Sequence, residues 1–146
     1  MRRALVVVIV ASLAVLLTRM GTVAQPKSPA EAAKPFKAVV HVNFSDAERQ
    51  KHGLKNVGNM LKAVKTDFEI VVVCHGDGIG LLVKDQSKHA AEVERLGKEG
   101  VRFAACENTM RDRSITKDQL LAVVTVPSGA VEVVRKQQDG YGYFKP

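Results

Sequence analysis

The chain has 146 residues, 46% of them apolar and only 5% aromatic, with 25% charged residues and a formal net charge of +7. That is about one domain's worth of sequence, long enough to bury a core without disulfide staples, and no repeat-length period marks it as a solenoid. The basic residues are scattered among acidic ones without the aromatic-spaced stripe that stacking on bases needs, which excludes nucleic acid as an expected partner.

Met1-Arg2-Arg3 is followed by an uncharged run of 14 residues, Ala4 to Leu17. A positive n-region before a short apolar stretch is the pattern of a secretory signal, and a membrane-spanning helix needs about 20 apolar residues. Thr22-Val23-Ala24 supplies small residues before Gln25, so residues 1–24 are expected to be removed as a signal peptide. An uncleaved anchor is the alternative and the one route by which the chain would touch a membrane. Either way the domain is expected outside the cytosol, periplasmic or secreted. Arg2, Arg3 and Arg19 lie in this leader, leaving +4 for the rest. Residues 25–36, with Pro26, Pro29 and Pro35, read as a flexible linker to a domain spanning 37–146.

Ala38 to Phe44 is an apolar, β-branched run that suits a strand buried on both faces. Ser45 and Glu48 form a capping-box pattern, and Leu54, Val57, Leu61 and Val64 recur at helical spacing. Phe68 to Cys74 is a second buried strand, and the following His75-Gly76-Asp77-Gly78-Ile79-Gly80 reads as a tight turn. It lacks G-x-G-x-x-G spacing and a P-loop lysine, so it is not a phosphate cradle. A helix is expected over Gln86 to Glu99, with Gly100 at its C-cap and Val101 to Ala105 as a third strand. Thr116 and Gln119 form a second capping-box pattern, Ala122 to Val126 a fourth strand, and Pro127 or Ser128 opens a last helix that ends at Gly140. Tyr141 to Phe144 can add an edge strand. The alternation implies a single three-layer α/β domain, a mostly parallel five-stranded sheet with right-handed crossovers and helices on both faces.

Ligands of such sheets meet the carboxyl ends of the strands, where Asn43, His75 and Cys106 fall on this reading. Cys106 is the best chemical clue. Arg111 and Arg113 follow within seven residues, and a nearby cation favours the nucleophilic thiolate. Cys106 is thus the candidate nucleophile, with His75, Arg111 and Arg113 as modulators and Asn43, Gly76 and Asn108 as candidate ligand contacts. The competing reading makes Cys106 a small buried hydrophobe. His41, His52 and His89 lack ligand spacing with either cysteine, so neither a metal nor a cofactor is expected. Two cysteines in an exported domain invite a disulfide, but a doubly wound order would set the first strand between Cys74 and Cys106, too far apart to bridge.

The segments CHGDGIGLL (74–82), GVRFAACENTMRDRSI (100–115) and VPSGAVEVVRKQQDGYGYFKP (126–146), in this βαβ order, resemble the DsrE/DsrF-like family of small sulfur-handling proteins. The resemblance covers Lys37 to Pro146. It implies a persulfide-carrying cysteine after the third strand, here Cys106, and assembly as a trimer or hexamer, with a sulfur donor or acceptor protein as a further partner. It also suits the tail Tyr141-Gly142-Tyr143-Phe144 to an interface. The leader sets this chain apart from the cytoplasmic relay members. A sulfur carrier or sulfurtransferase-type protein is therefore expected, with a non-catalytic binding or assembly module as the alternative. A hydride-transferring enzyme is disfavoured by the missing dinucleotide fingerprint.

Overall fold

The computed structural model describes residues 34–146. The expected signal peptide, its cleavage site and the linker up to residue 33 lie outside the described residues. Among the described residues no helix is long and apolar enough to cross a membrane.

The elements run β1 (Phe36–Val42), α1 (Ala47–Ala63), β2 (Phe68–Cys74), a 3-10 helix (Gly76–Leu82), α2 (Ala90–Lys98), β3 (Arg102–Cys106) and α3 (Glu107–Asp112). A short 3-10 turn (Lys117–Gln119), β4 (Val124–Val126), α4 (Gly129–Gln138) and β5 (Gly142–Phe144) complete the chain. The five strands form one wholly parallel sheet in the order β4-β3-β2-β1-β5. From β1 to β4 the chain steps in one direction, and right-handed crossovers put α1 and α2 on the same face. The return from β4 to β5, past β1, puts α4 on the other face. The domain therefore has the three layers that the α/β pattern implies.

Strand alternation sorts the core into two sides. Ala38, Val40 and Val42, with Ile70, Val72 and Cys74, pack with Leu54 and Val57 of α1 and Val93 and Leu96 of α2. Val39, Val71, Val73 and Ala104 face the other way and meet Val133 of α4 and Tyr141. Ile70, Val39 and Val57 are fully buried, and each such side chain stabilises the fold by about 1.5–3 kcal/mol relative to exposure.

Several local expectations change. The cap of α1 is Asp46, whose carboxylate accepts the Arg49 N–H at 2.7 Å, rather than Ser45. An anionic oxygen is the stronger acceptor at a helix start. α2 begins at Ala90 and not at Gln86, because Val83 bridges Leu120 and the Lys84 N–H donates to the Gln119 carbonyl at 2.9 Å. Backbone committed to that bridge cannot open a helix. β4 starts at Val124 because the Leu121 N–H is spent on the Leu82 carbonyl. The glycine-rich segment is a 3-10 helix, not a tight turn, and it sinks Ile79, Leu81 and Leu82 into the core. The Thr116 and Gln119 capping box is present. Gly100 and Gly140 close their helices at φ +98 and φ +85.

The order of strands also corrects the disulfide argument. β1 does not lie between the cysteine strands; β2 and β3 are neighbours. Both cysteines are nevertheless free. Cys74 pairs with Ala105, so Cys106 is one residue further and its side chain leaves the opposite face of the sheet.

Two glycines give opposite expectations. A Cβ on Gly78 would overlap the Val42 carbonyl, whereas a Cβ on Gly97, in α2, would meet nothing within 4 Å. Gly78→Ala should lower stability by about 1–3 kcal/mol or more through overpacking. Gly97→Ala should raise it by up to about 1 kcal/mol through helix propensity. Urea unfolding midpoints of the two variants against the parent check both signs.

Candidate functional site

The alternation that turns Val39, Val73 and Ala104 toward α4 turns His41, His75 and Cys106 the same way. His41 is in register with Val73, and Tyr143 of β5 with Val39, so all four side chains stand on the α4 side near the carboxyl ends of the strands. α4 begins against them. A Cβ on Gly129 would lie 2.9 Å from the Cβ of His75 and 3.2 Å from that of Cys106, so only glycine lets the helix start this close.

Cys106 ends β3 and caps α3, and it is 4% exposed. Burial alone would push its thiol up. That push is outweighed by the Gly129 and Thr109 N–H groups and the Thr109 hydroxyl gathered around the sulfur, and the thiol lies below its usual range. Cys74 has no such donors, and its complete burial drives the thiol far upward. Thr109 is itself buried and accepts the Gly76 N–H at 3.0 Å, which ties the loop after β2 to the thiol.

Beside Cys106 two imidazoles meet edge to edge. His41 Nε2 and His75 Nε2 are 2.6 Å apart, a separation that holds one proton between them. The Tyr143 hydroxyl lies 2.8 Å from His41 Nδ1. Burial, the neighbouring His75 and Lys145 bring the His41 pKa down to about 4. Burial and Lys145 lower His75 as well. Both shifts favour the neutral form of the pair.

Cys106, His75, Gly76 and Asn108 thus come together. Gly76 serves through its N–H at φ +53. The Asn108 backbone N–H donates to the Pro127 carbonyl at 3.3 Å, and its side-chain oxygen accepts from Arg111. Arg113 is paired with Asp77. The donors that hold the sulfur are backbone N–H groups and one hydroxyl, and the two arginines are engaged elsewhere. Asn43 follows β1 with its backbone against Gly78, and its side chain makes no hydrogen bond among the described residues. A polar cleft of about 190 Å³ between Ser45, Gln50, Asp77, Gln86 and Arg113 does not include Cys106. No group of three or more His, Cys, Asp or Glu gathers to hold a metal among the described residues.

The model of the DsrE/DsrF-like family matches residues 36–146. This chain belongs to that family. Its members are generally tied to sulfur metabolism. Among solved structures, the protein of unknown function MTH1491 from Methanobacterium thermoautotrophicum is 34% identical with a TM-score of 0.73, over 76% of this chain and 99% of its own. The ychN protein from E. coli is 15% identical with a TM-score of 0.63, over 76% of this chain and 99% of its own. BT1422, a protein of unknown function from Bacteroides thetaiotaomicron, is 12% identical with a TM-score of 0.58, over 75% of this chain and 95% of its own. These last two share the fold. Comparison with curated proteins gives no match.

Sequence reasoning passed over His41, Tyr143, Thr109 and Gly129. His41 left a trace, as an imidazole in an otherwise apolar strand on the alternate positions from Ala38, Val40 and Val42. The other three become visible only once α4 and β5 are placed. Within the tail, Tyr141 is buried with its hydroxyl on Glu69 and Phe144 packs on the core, while Tyr143 is 46% exposed.

The imidazole pair makes stability pH-dependent with a definite sign. His41 holds its proton less well folded than unfolded, so the unfolded chain binds more protons between pH 6.5 and about 4. The stabilisation is complete above pH 6.5 and lost as pH falls toward 4. Urea midpoints at pH 7, 5.5 and 4 should fall in that order, and the fall should be shallower in His41→Gln.

Proposed function

We propose that this chain is an exported DsrE/DsrF-like protein that carries sulfane sulfur as a persulfide on Cys106. The observation that carries the reading is the lowered thiol of Cys106, held by N–H donors although the residue is almost wholly buried. A thiolate is the nucleophilic form, and donors that stabilise it also favour the anion that leaves at handover. In loading, the Cys106 thiolate attacks the outer sulfur of thiosulfate; the new S–S bond forms as the old one breaks, and sulfite leaves with the electron pair. No external oxidant is consumed. The family match supports the sulfur chemistry, and the leader supports a periplasmic or secreted site of action. Assembly as a trimer or hexamer is part of the same reading, with Val131 and Val134 on the outer side of α4 as an exposed apolar pair suited to a partner copy.

The second reading is a non-catalytic binding or assembly module, with Cys106 a packed core thiol. Cys106 is 4% exposed, which suits a packed thiol as well as a guarded one.

Mass spectrometry after exposure to thiosulfate or polysulfide separates the two. Each carried sulfur should add about 32 Da, be removed by dithiothreitol, survive in Cys74→Ser and vanish in Cys106→Ser. At neutral pH, iodoacetamide should label Cys106 before Cys74. Labelling of Cys106 only in denaturant would assign it to the core and leave the module reading. Light scattering at micromolar concentration should report a multiple of the monomer mass, and a monomer mass would remove the assembly element.

A further inference from the structure

The His41–His75 pair is not used in loading, because the donors around Cys106 already favour its thiolate. Handover differs. An acceptor thiol must lose a proton before it can attack the outer sulfur, and an ordinary thiol is mostly protonated at neutral pH. A base beside the persulfide would remove that limit.

The geometry supplies one. His75 packs next to Cys106 over Gly129. Its Nε2 faces His41 Nε2 at 2.6 Å with one proton between, and its Nδ1 has no hydrogen-bond partner among the described residues. His41 is held in turn by Tyr143 at 2.8 Å through its other nitrogen. A base oriented by a second group, itself oriented by a third, is the arrangement by which an imidazole is fixed in one tautomer.

We propose that His75 is the proton acceptor for the thiol that takes sulfur from Cys106, with His41 and Tyr143 as the positioning residues that keep its Nδ1 free. The inference rests on the persulfide reading above. The loaded persulfide first takes a proton from solvent; the acceptor thiol then gives its proton to His75 Nδ1 and its sulfur attacks the outer sulfur of the neutral persulfide. The bond between that sulfur and Cys106 Sγ breaks, and its electron pair returns to Cys106 as thiolate. The acceptor leaves as a persulfide, and His75 later gives its proton to water. Nothing is oxidised or reduced overall.

In the required tautomer the His75 Nε2–H donates to His41 Nε2, and the His41 Nδ1–H donates to the Tyr143 oxygen. The groups around the pair fit a base that is free at neutral pH. β5 presents Tyr143, the segment beyond it Lys145, β3 presents Cys106, and α4 meets the pair with Gly129, which carries no charge. Burial and Lys145 both lower the His75 pKa from its ordinary value.

The test is persulfide handover from loaded full-length protein to 2-mercaptoethanol, followed by mass spectrometry as a function of pH. General-base assistance by an imidazole already in its free form predicts a rate that is nearly flat between about pH 6.5 and 8, where an unassisted thiol would speed up tenfold per unit. His75→Gln and His41→Phe should lose the flat region and slow handover at pH 7 at least about tenfold. His41→Gln, whose side-chain oxygen can still accept from His75 Nε2, should keep it. A purely structural role would leave the profile flat in all three. Nitrogen-15 shifts of the imidazoles should show Nε2 of His75 protonated and Nδ1 bare.

Three results overturn the proposal while leaving the carrier reading intact: Cys106 loads but handover rises tenfold per pH unit in the parent, the profile stays flat in His75→Gln and His41→Phe, or His75 carries its proton on Nδ1. If Cys106 does not load at all, the carrier reading fails and this inference falls with it.

Discussion

The rim of this sheet depends on how closely the first residue of α4 approaches the ends of β2 and β3. Gly129 sits where any Cβ would press on His75 and Cys106, so the helix can bring its first N–H to the thiol only with glycine there. Parallel strands stop at one edge, and a helix returning from β4 to β5 must cross that edge. The crossing fixes where the N–H arrives. Thr109 supplies the second half of the cradle from α3, and Gly76 orients its hydroxyl from the loop after β2.

The two cysteines form an internal comparison. Both end strands, on adjacent strands of one sheet, and both are buried. One step of register separates them, and that step sends Cys74 into the aliphatic side with α1 and α2 and Cys106 into the N–H cradle under α4. Burial dominates where no donor is present, and donors dominate where several converge. The difference in chemistry comes from the pleat, with no charged neighbour required.

Much of this architecture was legible in the residues, because buried parallel strands write themselves as β-branched runs such as EIVVV and their order constrains the crossovers. Cys106 was legible for the same reason, as a thiol where a strand stops. Its stabilisers were not. Arg111 and Arg113 are close in sequence, but their guanidinium groups are taken by Asn108 and Asp77. The decisive donor comes from Gly129, 23 residues further along the chain, and only the placement of α4 connects them. The strand order failed in a related way: local pattern fixes that strands alternate with helices, whereas which strand is central depends on where the long return falls.

That return also explains why the imidazoles are paired. His41 and His75 stand on adjacent strands and face the side that carries a single helix, so neither is covered as deeply as the valines beneath them. Two imidazoles with Nε2 atoms 2.6 Å apart cannot both be charged without separating, and Lys145 nearby adds to that cost. The fold therefore holds a neutral, shared-proton pair beside a sulfur that its own cradle keeps acidic. Acid and base character is divided between neighbouring groups by position alone, the thiol by backbone donors and the imidazoles by burial and a like charge. Under the proposed carrier function, such a site separates the capture of sulfur from its release, since the two steps call on different members of the set.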